Sequence, residues 1–61
     1  MVKVFIVVMD YSSACVWFTQ NEFRKGYDSD DIENWLVEEH DYCDSTNYYM
    51  YSEEPITIEQ R

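Results

Sequence analysis

Cations are scarce in this sequence. Lys3, Arg24, Lys25 and Arg61 stand against thirteen carboxylates, a formal net charge of −9. Phosphate backbones are held by Lys and Arg, so direct nucleic-acid binding has the wrong sign, and anionic membrane surfaces are repelled as well. Long apolar runs are also missing. Val4–Met9 stops at Asp10, short of the roughly 7–15 residues of a signal-peptide core and of the roughly 20 residues of a membrane span. It reads as a buried strand, and the expected location is the cytoplasm of the cell that makes or receives the protein. Glycine and proline are limited to Gly26 and Pro55, and no internal repeat or low-complexity tract is present. Two cysteines, Cys15 and Cys43, without a secretion signal read as reduced thiols, one or both buried.

What the chain does have is apolar and aromatic mass: 46% hydrophobic and 18% aromatic residues. Disordered chains show the opposite composition, so residues 1–61 are expected to form one small ordered domain. A domain of this size buries only about 60% of its unfolded surface and is marginally stable.

The charge is unevenly placed. Up to Lys25, three cations face Asp10 and Glu22. From Gly26 to Gln60 come Asp28, Asp30, Asp31, Glu33, Glu38, Glu39, Asp41, Asp44, Glu53, Glu54 and Glu59, with no Lys or Arg among them. Like charges one helical turn apart each destabilise by a few tenths of a kcal/mol. Solubility alone could be met with mixed signs, whereas a one-sign surface produces a field that attracts cationic partners.

Periodicity predicts a small α+β domain: an antiparallel or mixed sheet of three or four strands with one helix, ββαβ or ββαββ. Val2–Met9 alternates with apolar residues on both faces, as in a central strand covered, at least in part, on both sides. Asp10–Ser13 reads as a turn and Ala14–Gln20 as the second strand of a hairpin. Asn21–Asp28 reads as a connector anchored by Phe23 and Tyr27, with Gly26 as its flexible point. Asp30 to about Glu39 is the helix, capped by Asp30 with Glu33 three residues on. Ile32, Trp35 and Leu36 form its packing stripe; Val37 falls on the polar side and Glu39 near the stripe. Asp41–Asn47 reads as a loop, Tyr48–Tyr51 as a strand, Ser52–Pro55 as a turn and Ile56–Ile58 as a short fourth strand.

No motif specifies a reaction. Asp28, Asp30, Asp31 and Glu33 resemble the opening of a calcium loop, but the required glycine position is Glu33. His40 and Cys43, with Cys15, lack the second close pair of a zinc site. As a nucleophile and base, Cys43 and His40 lack an orienting third group, and acidic surroundings should raise the thiol pKa. The expectation is no catalytic residue, no metal and no cofactor. The aromatics say more: Tyr and Trp are enriched at interface hot spots, and a domain this small cannot fully bury eleven of them.

In size and charge, though in no motif, the chain resembles the small acidic proteins with which bacteriophages block host nucleases, repair enzymes, polymerases or defence effectors. That resemblance implies a non-enzymatic inhibitor or decoy docking on a basic surface of another protein, such as a nucleic-acid-binding enzyme or defence effector, as a nucleic-acid mimic. Asp30, Asp31, Glu38, Asp41, Glu53 and Glu54 would supply the field, and Tyr48, Tyr49 and Tyr51 the contact area. The alternative is an interaction module whose acids serve solubility alone: an antitoxin, an adaptor or a homodimeric accessory protein.

Overall fold

The computed structural model describes residues 1–60; Arg61, the last cation, lies outside them. Three strands and one helix follow in the order β1 (Val2–Asp10), β2 (Cys15–Phe23), α1 (Ser29–His40) and β3 (Asn47–Ser52). This is the expected α+β class in its ββαβ form. The sheet order is β2-β1-β3, and both flanking strands run antiparallel to β1. The apolar run of β1 is explained by this position, because the first strand becomes the centre of the sheet.

The register divides the side chains cleanly, since directly paired residues share a face. Val4, Ile6 and Val8 of β1 are fully buried together with Ile32 and Leu36 of α1. Phe23 and Tyr42 complete the core, and Val2, Trp17, Tyr27, Trp35 and Tyr49 pack around it. The stripe Ile32, Trp35, Leu36 therefore does what its spacing predicted.

Several boundaries differ from the sequence reading, among them β3, which takes in Asn47 and Ser52 from the expected loop and turn. The hairpin turn is Tyr11–Ala14, not Asp10–Ser13, because Asp10 pairs with Cys15. Ala14 accordingly leaves the strand and takes a left-handed φ of 54°. β2 continues through Asn21, Glu22 and Phe23, which pair with Val4, Lys3 and Val2. Polar side chains had disguised this stretch as connector. Phe23 and Tyr27 do anchor it, and Gly26 supplies the left-handed φ of 84° that turns the chain toward the helix. Lastly, Ile56–Ile58 adds no fourth strand. Pro55 and Ile56 instead lie against Phe5 and Phe18 on the far side of the sheet.

The helix starts one cap earlier than expected. Asp28, not Asp30, is the N-cap: its Oδ1 accepts from the Asp31 amide (3.2 Å), and Asp31 Oδ2 accepts from the Asp28 amide (3.2 Å). Both Asp28-x-x-Asp31 and Asp30-x-x-Glu33 fit capping-box spacing. Tyr27, docked on Phe23 and Tyr51, decides between them by fixing where the chain enters the helix. At the other end Asp41 adopts a left-handed conformation (φ 54°), which Asp tolerates better than most residues. The Tyr42 amide then returns to the Leu36 carbonyl (3.2 Å).

Candidate functional site

The acids predicted to form the site gather on the helix layer. Asp30, Glu38 and Asp41 are exposed along α1 and its C-terminal end. Asp31 is half-buried: its carboxylate takes the reciprocal cap bond and a salt bridge from Arg24 (3.0 Å). The Arg24 hydrogen bond, the Asp28 amide and the guanidinium's charge hold its pKa below the usual carboxylate value, against slight desolvation. Arg24–Asp31 is the one salt bridge between side chains of the described residues. Glu53 joins the same end of the helix, because its carboxylate accepts the Tyr27 hydroxyl (2.8 Å). That bond is the largest cause of a raised Tyr27 pKa. Glu54 follows it, exposed.

The three predicted tyrosines do not share one surface. Tyr49 and Tyr51 pair with Val8 and Ile6 and so face the helix; Tyr48 pairs with Met9 and faces away. Tyr49 is half-buried, with its hydroxyl donating to the Ser29 carbonyl (3.1 Å). Its pKa is raised chiefly by burial, as is that of Tyr42.

Tyr49 and Tyr51 belong to a belt of rings around the aliphatic core. Trp17 meets His40 (5.0 Å between centroids), His40 meets Trp35 (4.9 Å), and Trp35 meets Phe23 (6.0 Å). From Phe23 the belt continues through Tyr27 (5.7 Å), Tyr51 (6.2 Å) and Tyr49 (6.3 Å) to Tyr42 (5.6 Å). These rings shield Ile32, Leu36 and the inner residues of β1 from water, at separations where edge and offset contacts are favourable. Most of the aromatic excess is thereby structural.

Both cysteine thiols are free and exposed, contrary to the expectation of burial. The Cys43 thiol is also not raised by its acidic neighbours. Hydrogen bonds with the Ser45 hydroxyl (3.0 Å), the Ser45 amide and Thr46 hold its pKa below the ordinary thiol value. His40 is engaged with the two tryptophan rings, and among the described residues no three His, Cys, Asp or Glu side chains group as metal ligands.

One surface escaped the sequence reading. On the sheet face away from α1, two rows of residues stand side by side: Phe18–Val7–Met50 and Val16–Met9–Tyr48. Val7 is buried between its neighbours, but Phe18, Met50, Val16, Met9 and Tyr48 are 37–58% exposed. The signal is the double-sided alternation of β1, which reads as a strand covered, at least in part, on both sides. The cover is partial: Pro55 and Ile56 close only the Phe5 end, enclosing a cleft of about 340 Å³ with Phe5, Phe18 and Gln20.

Comparison with protein-family models, curated proteins and solved structures found no match to this chain. Among the described residues no helix is long and apolar enough to cross a membrane.

Proposed function

We propose that the chain is a binding protein without catalytic activity, which docks its acidic helix layer on a cationic groove of a nucleic-acid-binding partner as an inhibitor or decoy. The observation that carries this reading is the density of carboxylates, most of them exposed, on the helix layer. Asp28, Asp30, Asp31, Glu33, Glu38, Glu39 and Asp41 fall within fourteen residues. At 1.5 Å of rise per residue that is one charge per about 3 Å of axis, close to the roughly 3.4 Å spacing of a single DNA strand. Glu53 extends the layer beyond the helix start, and Arg24 offsets only one of these charges. The carboxylates stand on a packed helix and so meet the partner pre-organised, without an ordering cost at binding.

The test is affinity capture from a cell lysate at low and high salt, with the wild-type chain and an Asp30→Asn/Glu38→Gln/Asp41→Asn variant. These positions leave the Asp28–Asp31 cap intact. A mimic captures nucleic-acid-binding proteins at low salt, releases them at high salt and loses them in the variant. Capture indifferent to both salt and charge removal would overturn the reading. It would favour an interaction module with purely solubilising acids, to which the exposed sheet face lends support.

A further inference from the structure

The open sheet face lies outside the acidic layer, and its chemistry is the reverse. Its two exposed rows contain no charged residue; Lys3 and Glu22, paired across the strands, occupy the corner beyond Phe5. We propose that this face is the interface of a two-fold homodimer in which the sheet of one copy packs on the sheet of another.

Three observations select a second copy as the occupant. The first is area. With five side chains 37–58% exposed, and roughly 150–250 Å² for a large side chain, the patch presents on the order of 500 Å². That lies in the upper half of the roughly 300–600 Å² range for the largest apolar patch of a monomer, patches that are often functional. Two copies would bury about 1,000 Å² from these residues alone, the area from which specific interfaces begin. Tyr11, edge-on against Tyr48 (5.4 Å) and itself exposed, adds to it.

The second is shape. A two-fold axis lying between the sheets and crossing β1 at Val7 turns the Phe5 row of one copy onto the Met9 row of the other. The Phe5 row carries the cleft bounded by Pro55 and Ile56; the Met9 row carries exposed Val16, Met9 and Tyr48. Hollow therefore meets relief twice, as an isologous interface requires, and two methionines lend it adaptability.

The third is charge. A chain at −9 should repel its own kind, yet the acids of α1 are on the opposite side of the sheet. Packed sheets lie about 10 Å apart. The two helix layers then stand on the far sides of both sheets, separated by well over the Debye length of about 8–10 Å. The interface itself is as poor in charge as the centre of a homodimer contact.

This inference does not depend on the acidic docking reading, and salt separates the two. Sedimentation equilibrium of the chain from low micromolar to millimolar concentration should show a dimer whose affinity holds or rises with salt, as residual repulsion is screened. Met50→Lys and Val16→Lys, each burying an unpaired charge twice per dimer, should weaken association by roughly a hundredfold or more with the circular dichroism of the fold unchanged. The wild type gives an independent readout. In a mixture of copies carrying labelled methionine methyls and unlabelled copies, intermolecular NOEs should connect Met9 and Met50 to the partner's aromatic protons. A monomer at millimolar concentration, a dimer of wild-type strength in both lysine variants, or a dimer without those NOEs would each overturn the proposal.

Discussion

The two faces of one sheet carry similar apolar content and opposite fates. On the helix side Val4, Ile6 and Val8 are fully buried beneath Ile32 and Leu36 and ringed by aromatics. On the other side Val7 alone reaches burial, and Val16, Phe18, Tyr48 and Met50 stay about half in water. Apolar alternation thus marks which residues can be buried, and the connection that carries the helix chooses which are. The acids follow the helix, so the molecule separates a charged layer from an apolar face across the thickness of one sheet.

The largest effect should break that contrast in the core. Leu36→Ala removes a fully buried side chain and should cost about 2–5 kcal/mol, enough to unfold much of a domain this small. Met50→Ala on the open face should cost under about 0.5 kcal/mol at concentrations where the chain is monomeric. Urea unfolding monitored by tryptophan fluorescence compares the two. Equal losses would mean that the open face is covered within the monomer.

The helix entrance gives the next effect. Asp28→Ala removes the side chain that accepts the Asp31 amide and should cost about 1 kcal/mol. Asp30→Ala, outside the cap, should cost no more than the few tenths contributed by the helix dipole. A larger loss at Asp30 in the same unfolding assay would restore Asp30 as the cap.

Titration sharpens the contrast at both ends of the pH scale. Asp31 has a folded pKa below its unfolded value of about 3.9. Its contribution is therefore present above that value and lost as pH falls through the folded pKa. Tyr27, Tyr42 and Tyr49 have folded pKa values above the usual value near 10. Their contribution is present below that pH and lost as pH rises toward the folded values. Thermal midpoints across pH should fall at both extremes. Asp31→Asn should be less stable than wild type at neutral pH and equal to it at low pH, whereas a constant gap would assign the loss to packing.

The smallest effect concerns the hairpin. Ala14 occupies a left-handed conformation that costs an L-residue about 1–2 kcal/mol, while glycine loosens the unfolded chain by less. Ala14→Gly should therefore stabilise by a few tenths to about 1 kcal/mol, measured as a shift in the urea midpoint.

The class of fold was readable because it rests on local patterns. The alternation of Val2–Met9 and the i, i+3, i+4 stripe at Ile32, Trp35 and Leu36 each survive in any context that buries them. The reading failed where identity and environment disagree. Asn21 and Glu22 look like loop and are strand because they pair with Val4 and Lys3. The candidate site was half readable: Asp30, Asp31, Glu38 and Asp41 share a layer because they share a helix and its cap, whereas Tyr48, Tyr49 and Tyr51 divide between faces according to the register of β3 against β1.

The sequence by itself determined the sign of the field, the shortage of neutralising cations and the presence of one amphipathic helix, since these depend on composition and on spacing along a few turns. Tertiary structure alone decided that β1 lies at the centre, that α1 covers one side of it, and that the charge is thereby kept away from an open apolar face. Those are questions of which distant segments meet. A period-two strand with two apolar faces is indifferent to which of them a helix will cover.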